Sequence, residues 1–220
     1  MRLDKEAAAF AIELGDLLNA TITTGIRLTS ILVRDTAVVG YQIKTTDLST
    51  AGIPVTLGGK QPTGYLGLSF RLVPDEQKRF LMVQSSVAGF FVDAELDRPL
   101  MHYDYERDKG DGYPEAHLQV EADSQAWNEL CERVGIDERP LAKLHFPVGG
   151  RRFRPTVEEL IDFLVTEVHV DALPGWTAKV EAGRELFEER QLRAAIRRRP
   201  EWAVDQLRRM GHRVDPPTQP

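Results

Sequence analysis

From Gly25 to Glu121 the chain switches its hydrophobic period from that of a helix to two, and keeps it through one stretch after another. Ile26–Val33 and Thr36–Lys44 are rich in β-branched residues around an Arg34-Asp35 turn, and Tyr65–Val73 alternates until Pro74-Asp75-Glu76-Gln77 breaks it. A short strand fits Pro54–Leu57 inside the otherwise loop-like Thr45–Thr63. Arg79–Asp93 is apolar or small on both faces, as a central strand is, with Gly89 marking a bulge or a close approach. Met101–Arg107 and Glu115–Glu121 form a hairpin around Asp108-Lys109-Gly110-Asp111-Gly112. About six strands with short links point to an antiparallel sheet.

Helical periods flank this region. Asp4–Asn19 carries Ala7, Phe10, Ala11, Leu14, Leu17 and Leu18 at helical spacing, with Asp4 as its expected cap. Beyond the sheet, Ser124 or Asp123 caps Gln125–Val134, whose apolar side is Trp127, Leu130, Cys131 and Val134, and Gly135 is its expected terminator. Leu141–Val148 reads as one more strand, at an edge because of Pro147. Thr156 and Glu159 have the spacing of a capping box for Val157–Val168, which buries Leu160, Ile161, Phe163 and Leu164. Trp176–Arg198 is a long helix, Pro200 interrupts it, and Glu201–Met210 follows with Gly211 at its end. The expected fold is α+β: an antiparallel sheet of six or seven strands, an N-terminal helix, and C-terminal helices packed on one face. Residues 1–170 form the α+β domain, 171–214 a basic helical extension and 215–220 a disordered tail.

Charge is unevenly placed. The 220 residues carry a net charge of −6, which does not advertise nucleic-acid or membrane binding by the whole chain. The acids lie upstream, however, and Arg193, Arg197, Arg198, Arg199, Arg208 and Arg209 crowd the end. Those arginines suit a phosphate backbone or an acidic protein, or else a solvated face with the intrahelical pairs Glu181–Arg184, Glu189–Arg193 and Asp205–Arg209. The single cysteine, Cys131, excludes an internal disulfide and a zinc–thiolate cluster and suits a reducing cytoplasm. No signal-peptide pattern opens the chain and no run of 18 apolar residues occurs, so no membrane attachment is expected.

Two groups of residues could carry chemistry. Period two places His102, Asp104 and Glu106 on one face of the first hairpin strand, and Glu115 and His117 on one face of the second. A hairpin folded symmetrically about Gly110 and Asp111 sets Asp104 opposite His117. Such groups do acid–base work or bind divalent metals, and they also make an ordinary solvated strand face. His145 joins His117 if its strand neighbours the hairpin. Arg151, Arg152 and Arg154 precede a helix N-terminus, where an anion is favoured, or pair with the acidic sheet. No known catalytic signature occurs, and the residue types name neither a cofactor nor a particular metal.

With Tyr103-Asp104-Tyr105, Pro114, His117, His145-Phe146-Pro147-Val148 and the helix after Pro155, the segment 100–166 resembles small uncharacterised bacterial proteins, some of them found beside toxin–antitoxin or phage-defence genes. The resemblance implies a stress or defence setting and assigns no catalytic residue. Two functions remain open at this stage. One is an interaction or regulatory module, working through its sheet edge or C-terminal helices toward a protein partner or a second copy. The other is a metal-dependent enzyme acting on a phosphate-containing substrate or nucleic acid, with Asp104, His117, His102 and His145 at its centre.

Overall fold

A computed structural model describes residues 1–108, 110, 114–134, 143–149 and 155–215. Helix α1 spans Leu3–Asn19 and leads into strands β1 (Leu28–Val33), β2 (Thr36–Tyr41), β3 (Ile53–Val55), β4 (Gly64–Pro74), β5 (Leu81–Phe91), β6 (Pro99–Glu106) and β7 (Ala116–Val120). Helix α2 (Gln125–Val134), strand β8 (Phe146–Pro147) and helices α3 (Val157–Thr166), α4 (Trp176–Arg198) and α5 (Pro200–Arg209) complete it. All eight strands join one sheet in the order β1-β2-β4-β5-β6-β7-β8, with the short β3 also paired to β4, and every pairing is antiparallel. The α+β class expected from the two hydrophobic periods is the fold observed.

Alternation decides which side is core. Leu28, Val39, Ala37, Leu66, Leu68, Phe70, Leu72, Phe90 and Met101 point to one side, where α1 contributes Ala7, Ala11, Leu14 and Leu18 and α3 contributes Val157, Leu160, Ile161 and Leu164. Phe10 of α1 stands edge-on to Phe70, ring centroids 5.2 Å apart, which is a favoured aromatic geometry. On the opposite side the loops after β2 and β5 lean over the sheet. Only glycine fits at Gly40, against Thr50, and at Gly67, against the Phe91 ring and Leu96.

Several local expectations change. Asp4 does not cap α1: Arg2 is the N-cap residue and makes no side-chain capping bond, while Asp4 pairs with the Arg2 guanidinium at 2.6 Å. The strand expected over Leu141–Val148 is only Phe146–Pro147, because His145 and Leu144 leave the ladder and Pro147 has no N–H to extend it. Its residues 141 and 142 lie outside the described residues, as does Gly135. Phe163, expected to be buried, is exposed, and so is Leu130 on the apolar side of α2. Other expectations hold: Ser124 Oγ accepts the Trp127 N–H at 3.3 Å, Cys131 is buried, and Thr156 and Glu159 form both halves of the capping box.

The basic C-terminal segment is fastened to the sheet domain along α4. Val180 is in the core, Arg184 binds Asp162 at 2.5 Å, and Arg190 grips both oxygens of Glu13 on α1 at 2.5 and 2.9 Å. At the far end the Arg197 guanidinium lies 4.0 Å from the centroid of Phe80, on the β4–β5 turn. Helix α5 differs: it has no buried residue.

Candidate functional site

The β6–β7 ladder sets Asp104 opposite His117 and His102 opposite Gln119. All four side chains therefore leave the sheet on the side away from the helices. Across the other ladder, His102 faces Gly89. A Cβ at Gly89 would lie 2.6 Å from the His102 Cβ, so the absence of a side chain there lets β6 come close and fixes where His102 starts.

The imidazole of His117 is 3% exposed. Its Nδ1 is 3.2 Å from the Pro114 carbonyl. A carbonyl only accepts, so Nδ1 carries the proton and donates. That orientation turns Nε2 toward the carboxylate of Asp104, 3.5 Å from Oδ2. The same Oδ2 lies 3.6 Å from Nε2 of His102, which also stands 3.0 Å from Oε1 of Gln119. One carboxylate oxygen is thus flanked by two ring nitrogens, while Oδ1 is buried with no hydrogen-bond partner among the described residues.

His145 completes the group. Pro147 pairs with His117 in the β7–β8 ladder, and two residues earlier the His145 ring meets the His117 ring edge-on, centroids 4.6 Å apart at 72°. The expected meeting of these two histidines is present, although the strand that delivers it is short. Glu106 lies farther along β6 and is exposed, and Glu115 accepts the Asp108 N–H at 3.2 Å. Arg151, Arg152 and Arg154 lie outside the described residues. Gln119 was not singled out from sequence, although the register that pairs Asp104 with His117 also brings it opposite His102.

Chemically the three groups are unequal. The Asp104 carboxylate beside it, helped by Gln119, raises the His102 pKa above the usual imidazole value against a smaller opposing effect of burial. His102, with its side chain 22% exposed, is able to exchange a proton with solvent or a bound molecule. His117 is sealed in, with its Nε2 3.5 Å from Asp104 Oδ2. Among the described residues no three His, Cys, Asp or Glu side chains converge so as to hold a metal ion.

A second candidate surface is the end of the chain. The expected pairs Glu181–Arg184, Glu189–Arg193 and Asp205–Arg209 are formed at 3.8, 2.5 and 3.0 Å. Around them Leu192, Ile196, Leu207 and Met210 are exposed, and Trp202 is 69% exposed with the Arg199 guanidinium 5.5 Å from its ring centroid. Among the described residues no helix is long and apolar enough to cross a membrane.

Fold and surfaces together define an antiparallel α+β chain with a half-buried histidine–aspartate cluster and a basic, apolar helical end. The chain matches no family model, no curated protein and no solved structure.

Proposed function

We propose that the chain is an interaction module that binds an acidic protein partner through its C-terminal helices, in the reducing cytoplasm and the stress or defence setting implied above. The observation that carries this is α5, a ten-residue helix with no buried residue that exposes Trp202, Leu207 and Met210. A helix so short is marginal in water and gains its stability from a surface it packs on. Arg208 and Arg209 lie in its last turn, and Arg197–Arg199 end α4 just before it. An acidic groove with an apolar floor fits that pattern, because an amphipathic helix is read through spaced apolar anchors. A phosphate backbone would leave Leu207 and Met210 with nothing apolar to cover them. A photo-reactive residue in place of Trp202, in the full chain within its host cell, tests this. The expected product is a cross-link to one acidic protein whose purified form binds the full chain and loses binding to Arg208→Glu/Arg209→Glu. Cross-links to nucleic acid, or unchanged binding by that variant, would overturn it.

Acid–base catalysis on a phosphate-containing substrate is a second reading, favoured by one observation: the Asp104 carboxylate has a bare buried oxygen and an imidazole on each side. In that reading His102 exchanges the proton, Asp104 orients it, His117 and His145 hold Asp104 in place, and Arg151, Arg152 and Arg154 bind the anion. It requires His102→Ala and Asp104→Asn to remove activity while the circular dichroism spectrum is kept.

A further inference from the structure

The two ends of the sheet are finished differently. At one end β8 is two residues long and one of them is Pro147, which cannot donate to a further strand. At the other, β1 has the sequence L-T-S-I-L-V over six residues, without charge, proline or any register shift against β2. Short edges, edge charges, proline and bulges are how sheets avoid pairing with another chain, and β1 has none of them.

Parity shows which backbone groups are on offer. Val33 and Thr36 flank the two-residue Arg34-Asp35 turn, so they bond to each other, as do Ile31 with Val38 and Thr29 with Gly40. The N–H and C=O groups of Leu28, Ser30 and Leu32 then face outward. Ile26, two residues earlier, shares that outward phase, and both its backbone groups are taken by the Asn19 amide, at 2.8 and 2.7 Å. The chain's own clamp stops there. Among the described residues no hydrogen bond reaches the outer side of Leu28–Val33. A groove of about 330 Å³ runs beside it, between β1 and the α1 residues Ala8, Ala11, Ile12 and Gly15. Ile12, Val33 and Leu32, the last 50% exposed, give this edge an apolar rim.

We propose that β1 pairs with β1 of a second copy of this chain, antiparallel across a two-fold axis at Ser30, to make one continuous sheet. With Ser30 opposite its own counterpart, all three outward residues find partners, Leu28 facing Leu32 of the other copy and Leu32 facing Leu28. The occupant is selected by a reciprocal fit. Leu32 shares the helix side with Leu28 and is 50% exposed, so the two-fold sets each Leu32 beside Leu28 of the other copy, at the groove lined by Ala8, Ala11, Ile12 and Gly15. An extended segment of some other protein would satisfy the same backbone groups without this reciprocal seating of two leucines.

Sedimentation equilibrium of the full chain from low to high micromolar concentration tests the proposal. The wild type is expected to be a dimer. Ser30→Pro removes an outward N–H at the two-fold and leaves the β2 ladder intact, so it should weaken dimerisation by at least about tenfold while the circular dichroism spectrum is unchanged. Leu32→Lys reads the same contact should the proline variant fail to fold. A monomeric wild type, or a dimer indifferent to Ser30→Pro and Leu32→Lys, would overturn the assignment, and the second result would place self-association elsewhere on the chain.

Discussion

Replacing Gly89 by alanine tests whether the closeness of β5 and β6 is what positions His102. The added Cβ would lie 2.5 Å from the Met101 carbonyl oxygen, 2.6 Å from the His102 Cβ and 2.9 Å from the His102 Cα. Two of these are backbone atoms of β6 that cannot rotate aside. The strands must therefore part by roughly 0.9 Å before the shortest contact reaches the 3.4 Å of ordinary packing. Insertion of a methyl group into a packed region costs about 1–3 kcal/mol, which for a chain of this length lowers Tm by roughly 2–12 °C. Gly59 supplies the control, because a Cβ there meets nothing within 4 Å and its φ is not in the left-handed region. Gly59→Ala should be neutral or stabilise by up to about 1 kcal/mol. Urea denaturation measures both, and a ¹H–¹³C titration of the His102 ring reports whether the imidazole has moved away from Asp104. If Gly89→Ala is as stable as Gly59→Ala and leaves the His102 titration unchanged, the close approach has no structural consequence and the account of the site's geometry is wrong.

Two further outcomes follow from the same coordinates. The His102 pKa is raised in the fold, so its stabilising contribution is complete below the unfolded value of about 6.5 and is lost as pH rises through the folded value. Urea midpoints between about pH 5.5 and 8.5 should fall more steeply with rising pH in the wild type than in Asp104→Asn, which removes the charge responsible, and parallel slopes would show that Asp104 does not govern this histidine. Thr156→Ala deletes the side chain that accepts the Glu159 N–H at 3.2 Å and should cost about 1 kcal/mol, since Leu160, Ile161 and Leu164 all depend on the first turn of α3; a loss below about 0.3 kcal/mol in urea denaturation would mean the cap is dispensable.

Local chemistry was legible in the sequence, and distant contact was not. The Asp104–His117 pairing follows from period two and a turn centred on Gly110 and Asp111, because register in a hairpin is a local property. The capping box at Thr156 and the break at Pro200 are likewise decided within one turn of chain. Phe163 was misplaced, and Leu130 is exposed on the apolar side of α2, because a helix presents an apolar stripe wider than the surface that covers it, and only the packed neighbours fix which members stay outside. Asp4 was read as a cap from its type, yet Arg2 two residues away offers it a charged partner at 2.6 Å. The contact of Arg197 with Phe80 joins residues more than a hundred positions apart, and nothing in either segment signals the other.

The sheet order separates the features that carry the functional readings. Ser30 lies on β1 and Asp104 on β6, with β2, β4 and β5 between them. At about 4.8 Å per strand the two positions are roughly 19 Å apart across the sheet, well beyond the distance at which substitutions usually couple. They also differ in side: Leu28 and Leu32 point toward the helices, whereas His102, Asp104 and His117 leave the opposite face. A dimer formed through β1 would therefore leave the histidine–aspartate face of each copy unobstructed, at the far end of the combined sheet. Helix α5 has no buried residue and exposes Trp202 and Leu207, so that surface is available in monomer and dimer alike. Pairing through β1 would present two such helices in one particle, and a partner with two acidic grooves would bind it more tightly than it binds either helix alone, with no new contact formed.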